Sequence, residues 1–175
     1  LQKTLLSVLD ELLEKGGDNR IRRVVLSTTL VTNILASGRG ERTALLLLPG
    51  SGLPFSSYRI SPDTWFLRGC IDFRGREVEG PDTDEIKRIL REIEEKGIRR
   101  VAVAGKFSNR NSRHEILIRD MARELYPRME VCTSSEASGR LNFPRRAVTC
   151  YYTALTTREW NSFADGIGRA ISARI

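Results

Sequence analysis

VVLSTTLVTNILASGRGERTALLLLPG, residues Val24 to Gly50, is the stretch from which the fold can be read. Val24 to Ser27 predicts a strand, and Ser27-Thr28-Thr29 a sharp turn. A short helix then begins at Thr28 or Thr29, and Gly38 and Gly40 close it. Leu30 with Ile34 and Val31 with Leu35 stand four apart and share one buried face, while Thr29 and Asn33 share another. Thr43 to Leu48 is a nearly unbroken apolar run, as expected of a strand covered on both faces. Hydroxyl side chains where a chain leaves a strand and opens a helix lie beside free backbone N–H groups, which in α/β proteins hold anions or substrates. The same step arises when the threonines only cap the helix, and the local pattern leaves both readings open.

Upstream, Leu5, Leu6, Val8, Leu9, Leu12 and Leu13 recur at helical spacing, and Gly16-Gly17 supplies a stop. Downstream, Pro49 to Pro62 reads as an irregular loop with room for one helical turn. Trp65, Leu67, Ile71 and Phe73 alternate with more polar neighbours, which predicts a strand turned back at Arg74-Gly75 into a hairpin through Val78. Asp82 or Thr83 caps a helix striped by Ile86, Ile89, Leu90 and Ile93, with Glu85 completing a capping box and Gly97 ending it. Val101 to Lys106 is a short strand. Ser112 and Glu115 form a second capping box, opening a helix that Pro127 stops. Met129 to Thr133 is a further strand. From Pro144 the chain is helical, with a break expected at Thr156, where Thr156 and Glu159 offer a third box. Alternating strands and helices predict an α/β fold, a helix-covered and mostly parallel sheet with the hairpin at an edge or inserted. Residues 1–175 read as a single α/β domain ending in a helical segment, 144–175.

With 175 residues, 40% hydrophobic and 29% charged, the chain has the size and composition to bury a core. Its formal net charge of +7 favours acidic or phosphorylated partners, or an acidic partner domain, or simply a surface kept soluble by repulsion. The doublets Arg22-Arg23, Arg99-Arg100 and Arg145-Arg146 could gather on one face. They are not interleaved with aromatics and no nucleic-acid signature accompanies them, so nucleic acid is not the expected partner. Cys70, Cys132 and Cys150 form no CxxC and His114 is the single histidine, so no metal site is expected and a reduced, cytoplasmic protein is. No apolar run reaches the ~20 residues that span a bilayer, and no membrane partner is expected. Walker A, Rossmann, GxSxG and HExxH patterns are absent.

Two strand-end loops carry polar residues of the kind that bind ligands in α/β sheets. Ser134-Ser135-Glu136 precedes Gly139-Arg140, and Glu136 reads either as a base or metal holder, or as an exposed loop carboxylate. Asn109-Arg110-Asn111 occupies the equivalent place before the preceding helix. His114, in the first turn of that helix beside Glu115, reads as structural or solvated rather than catalytic.

Three segments together resemble the N-terminal region of the hydantoinase/5-oxoprolinase family: STTLVTNILASGRGERTAL (Ser27 to Leu45), VAVAGKFSNRNSRHE (Val101 to Glu115) and VCTSSEAS (Val131 to Ser138). The first is similar to the family's TT-x-x-TN helix and RG-x-RT strand, the second to its Phe-x-x-Arg-Asn-x-x-His-Glu segment, the third to its SSE turn. The resemblance implies part of the ATPase fold shared by actin, sugar kinases and the large heat-shock chaperones. It implies ATP with Mg as cofactor and the opening of a cyclic amide such as 5-oxoproline or a hydantoin; relatives carboxylate small ketones. By the same resemblance Thr28, Thr29 and Asn33 face the cleft for nucleotide or substrate, Ser135 and Glu136 lie near it, and Arg145 keeps the arginine of a Tyr-Glu-Arg-Thr step. Catalytic residues stay unassigned. The family's glycine-rich, Asp-containing phosphate strand comes before the first matching segment and is not in this sequence. Phe143-Pro144-Arg145-Arg146 replaces Tyr-Glu-Arg-Thr, and Tyr152 replaces a later Asn. The expected partners are the remainder of the same chain or a partner subunit, and a small cyclic amide. The expectation is an ATP-dependent hydrolase of which this piece is inactive alone, or a binding and assembly module that kept the fold and lost the chemistry.

Overall fold

The computed structural model describes residues 2–15, 23–52 and 54–174. Gly16-Gly17 and Arg22 lie outside the described residues. Packing divides the chain into two compact units, 1–40 with 156–175, and 41–155.

The second unit holds the sheet. Four parallel strands, β1 (Thr43–Leu48), β2 (Thr64–Phe66), β5 (Arg100–Gly105) and β6 (Glu130–Thr133), lie in the order β2-β1-β5-β6. Every residue of β1 and β5 is buried, which is why both read as continuous apolar runs. Strand periodicity sends Ala44, Leu46 and Leu48 into one layer and Leu45 and Leu47 into the other. The first layer is closed by α3 (Thr83–Glu95), through Ile86, Ile89, Leu90 and Ile93, and by α4 (Arg113–Leu125), through Ile118 and Ala122. Burying each such aliphatic side chain is worth about 1.5–3 kcal/mol. The second layer is closed by Phe143, Ala147, Cys150 and Ala154 along α6 (Phe143–Ser172). Small residues on both sides, Ala102 and Ala104 on β5 against Ala147 and Ala154, bring this helix close to the sheet. The expected mostly parallel, helix-covered sheet is what forms.

The hairpin is a separate two-stranded sheet, β3 (Cys70–Ile71) with β4 (Glu77–Glu79). The single strand expected over Trp65 to Phe73 is therefore two. It breaks at Gly69, whose φ of +130° lies outside what a side-chain-bearing residue readily adopts. A Cβ there would also stand 3.0 Å from Leu48 Cδ2 and 3.3 Å from His114 Nδ1. The loop before β2 contains the one expected turn, a 3₁₀ turn over Phe55–Tyr58.

All three capping boxes are corrected. Asp82 caps α3, accepting from Asp84 N and Glu85 N, but Glu85 Oε2 accepts instead from Arg68 N at 3.1 Å and ties the hairpin's entry to α3. Ser112 precedes α4 without a side-chain cap bond, and Glu115 points inward. No break occurs at Thr156: α6 runs through it, since nothing near that position removes a backbone N–H from the ladder.

In the first unit, α1 (Gln2–Lys15) carries the expected amphipathic leucines, and Asp10 binds Arg174 through both carboxylate oxygens. Val24 to Ser27 is irregular rather than a strand. A strand exists only through its ladder, and no described residue pairs with this segment. The helix expected after it is α2 (Leu30–Ala36).

Candidate functional site

Parallel strands place the carboxyl ends of β1, β5 and β6 along one edge. From β1 the chain moves outward to β2 and later returns to the other side of β1 as β5, so the strand order reverses between β1 and β5. Ligands of open α/β sheets bind at the carboxyl edge beside such a reversal.

A buried polar network occupies this edge. The Glu115 carboxylate is fully buried, and both of its oxygens are saturated. Oε1 accepts from Gly105 N at 2.8 Å and Ser134 Oγ at 2.6 Å; Oε2 accepts from Ser135 N at 2.9 Å and Ser135 Oγ at 2.7 Å. Because the one hydroxyl proton of Ser134 goes to Glu115, Ser108 Oγ, 3.2 Å away, is the donor in the bond between the two serines. Arg146, also fully buried, donates from Nε to Ser134 Oγ at 2.9 Å, from Nη1 to Arg140 O at 2.8 Å and from Nη2 to Gly105 O. A carboxylate and a guanidinium thus meet through one serine hydroxyl, and the end of β5, the turn α5 (Ser134–Ala137) and α6 are fastened together. Burial pushes the Arg146 guanidinium down from its ordinary range, and the Glu115 charge works against that.

The loop between β5 and α4 lies on the same edge. Phe107 takes a left-handed φ of +59°, rare for an aromatic residue. Among the described residues, Asn109 Oδ1 is the buried side-chain polar atom without a hydrogen-bond partner. Strain and an orphaned acceptor in one loop are features that gather at ligand sites.

The residues singled out from the sequence are placed unequally. Ser135 belongs to the network. Glu136 is an exposed carboxylate held by Arg119 Nη1 and Thr133 Oγ1, both at 2.8 Å, which matches the surface reading. Arg145 is exposed, while its neighbour Arg146 turns inward. Thr28, Thr29 and Asn33 lie in the first unit. Thr28 Oγ1 accepts from Leu30 N at 3.1 Å, and Thr29 Oγ1 accepts from Asn33 Nδ2 at 3.3 Å. Thr29 is the N-cap position but its side chain makes no cap bond. Within the second unit the doublets Arg99-Arg100 and Arg145-Arg146 do not build a shared basic face: Arg146 is buried, and Arg100 is buried between Glu41 and Glu130.

From the sequence Glu115 read as a capping partner, Ser134 as part of a strand-end loop and Arg146 as half of a doublet, and their meeting in one buried network was not read, though a signal existed. Glu115 shares the buried stripe of Ile118 and Ala122 at i, i+3 and i+7. Arg146 stands one residue before Ala147 and four before Cys150 on the buried stripe of α6. A charge on an apolar stripe needs a partner inside.

His114 is likewise buried, its Nε2 2.6 Å from Glu77 Oε2, which Arg113 Nε also approaches at 3.3 Å. This fits the expected structural role, since the contact docks β4 on the start of α4. A cleft of about 530 Å³ opens beside it, walled by Pro81, Ile116 and Leu117.

The fold and its edge define an α/β domain of the kind that binds ligands at the carboxyl ends of parallel strands. The sequence matches the hydantoinase/oxoprolinase N-terminal region over residues 2–126, and the chain belongs to that family. Among solved structures it is similar to the ATP-dependent caprolactamase from Pseudomonas jessenii, with a TM-score of 0.71 and 20% identity over 95% of this chain and 28% of that one. It is also similar to nucleotide-free acetone carboxylase, with a TM-score of 0.70 and 15% identity over 85% of this chain and 25% of that one. At these identities the likeness is one of fold, and the chain spans about a quarter of either structure's length. A search of curated proteins found no match. Among the described residues no helix is long and apolar enough to cross a membrane.

Proposed function

We propose that this chain is part of an ATP-dependent enzyme that opens a cyclic amide of the hydantoin, 5-oxoproline or lactam type. The observation that supports this most is the family match over residues 2–126, joined to a shared fold with an enzyme whose own substrate is a lactam. Thr28, Thr29 and Asn33 offer two hydroxyls and an amide at the start of α2 for a phosphate or a substrate carbonyl. Ser135, half-buried at the sheet's carboxyl edge with its hydroxyl proton given to Glu115, offers an oxygen that the amide N–H of a ring would find as an acceptor. Glu115 and Arg146 hold that edge rigid rather than react, because their bonding capacity is taken up internally.

Among the described residues no three of His, Cys, Asp and Glu stand together to hold a metal ion. ATP and Mg2+ are expected to draw groups from the rest of the protein or a partner subunit as well, and the 175 residues by themselves are expected to be inactive.

The test uses the full-length protein with any partner subunit, assayed for ADP release and ring opening with 5-oxoproline, hydantoin and caprolactam. One substrate is expected to turn over, with Thr29→Ala and Asn33→Ala lowering the rate and the isolated chain giving none. Turnover by the isolated chain would overturn the reading. A second reading, a non-catalytic assembly module, is favoured by the saturated Glu115 network and by Pro144 and Tyr152 at positions where the family carries Glu and Asn. Full-length protein that folds and assembles yet hydrolyses no ATP with any ring would establish it.

A further inference from the structure

Cys132 on β6 and Cys150 on α6 are not used by the proposed chemistry, yet their sulfurs stand 3.6 Å apart. That is contact distance for two sulfur atoms. The two thiols differ in access. Cys150 is fully buried, while Cys132 is partly exposed. Cys150 Sγ also lies 3.2 Å from Cys132 O and 3.7 Å from Val103 O, so its proton has acceptors on the strand side. Cys70 stands elsewhere, on β3, where its sulfur faces Gly50.

We infer that Cys132 and Cys150 are a redox modification site, a dithiol that hydrogen peroxide converts to a disulfide bridging β6 and α6. Cys132, the accessible sulfur, attacks a peroxide oxygen as thiolate. The O–O bond breaks, the leaving hydroxide takes up a proton as water, and Cys132 becomes a sulfenic acid. The Cys150 sulfur then gives up its proton and attacks the Cys132 sulfur. The S–S bond forms, the S–O bond breaks, and the departing hydroxide leaves with that proton as a second water. Two thiols are oxidised by two electrons and one peroxide is reduced to two waters. The electrostatics run in the same order. The bond from Cys150 lowers the Cys132 thiol from its ordinary value and so favours the reactive thiolate there. The same bond, and then burial, holds the Cys150 thiol far above its ordinary value, which makes it unreactive until Cys132 is oxidised.

The position gives the bridge a consequence. Ser134 follows Cys132 by two residues, and Arg146 lies one helical turn before Cys150, so the bridge closes the loop that carries Ser134, Ser135 and Arg146 of the Glu115 network. It acts as a clasp on the carboxyl edge.

The test is peroxide treatment of the full-length protein, alkylation of remaining free thiols, and peptide mapping by mass spectrometry. The expected product joins the peptides of Cys132 and Cys150 with loss of two hydrogens, leaves Cys70 alkylated, and reverts under dithiothreitol. The oxidised protein is expected to melt several degrees higher. In Cys150→Ser and Cys150→Ala, Cys132 should stop at the sulfenic acid and be trapped by dimedone; in Cys132→Ser, Cys150 should stay reduced. Should the Cys150 variants fail to fold, the map of the unmodified sequence decides alone. Over-oxidation of Cys132 to sulfinic acid with Cys150 still alkylatable, a bridge to Cys70, or no reaction at a peroxide dose that oxidises free glutathione would each overturn the inference.

Discussion

Replacing Glu115 by Gln removes one atom's charge from the centre of the buried network and leaves its shape almost unchanged. Each carboxylate oxygen takes two donors, Gly105 N–H and Ser134 Oγ–H on one, Ser135 N–H and Oγ–H on the other. A glutamine amide keeps one oxygen and turns an NH2 group toward the other pair of donors. A serine hydroxyl can rotate and accept; a backbone N–H cannot. At least one buried N–H is left without a partner, at a cost of about 1–3 kcal/mol. Arg146 at the same time loses its buried counter-charge, and removing one partner of a buried pair costs about 3–5 kcal/mol. The two charges meet through Ser134 Oγ rather than directly, so the lower end of that range, about 3 kcal/mol, applies and the sum is about 4–6 kcal/mol. Against a typical total stability of about 5–15 kcal/mol, this is enough to move the urea midpoint far down at an unchanged m-value. Adding Arg146→Met to Glu115→Gln should cost less than the sum of the single changes, because the second change removes the charge that the first had stranded. A Glu115→Gln protein within about 0.5 kcal/mol of its parent would refute this account of the network.

Other outcomes follow from single contacts. Gly69→Ala forces a Cβ into a φ of +130° and to 3.0 Å from Leu48 Cδ2, and should destabilise by about 1–3 kcal/mol in thermal melts. Asp82→Ala removes the two cap bonds of α3 and should cost about 1 kcal/mol by denaturant titration, with Asp82→Asn recovering most of it. Acid should unfold the protein in a defined direction. Asp63, held low by the side-chain bond from Arg42, and Asp82, held low by the N–H groups of Glu85 and Asp84, have folded values below their unfolded ones. Their stabilising contribution is complete above the ordinary aspartate value of about 3.9 and is lost as pH falls through the lower folded values. Urea midpoints measured at successive pH should decline there, and less steeply in Asp82→Asn.

Much of the architecture follows from local pattern. The unbroken apolar runs of β1 and β5, the stripe of α3 and the polar strand ends were sufficient for a parallel, helix-covered sheet, because burial on two faces and the helical period leave marks that neighbours in sequence carry. Family membership was legible from the resemblance of Ser27 to Leu45 and Val101 to Glu115 to the family's motifs. What the chain order could not tell was which of two adjacent arginines turns inward, or whether a glutamate three residues after a serine reaches back to cap a helix or forward into the core. Arg145 and Arg146 differ by about 100° around a helix, and only the position of Gly105 O and Ser134 beneath α6 decides between them. Glu115 looks like a capping residue in sequence because the capping box is a spacing. It is a buried anchor because β5 and β6 end beside it and aim an N–H and two serines at its carboxylate. Sequence by itself determined most of the elements, the parallel helix-covered sheet and the family. The tertiary structure alone decided which charges went inside, since a buried charge is set by donors that arrive from strands and turns distant along the chain.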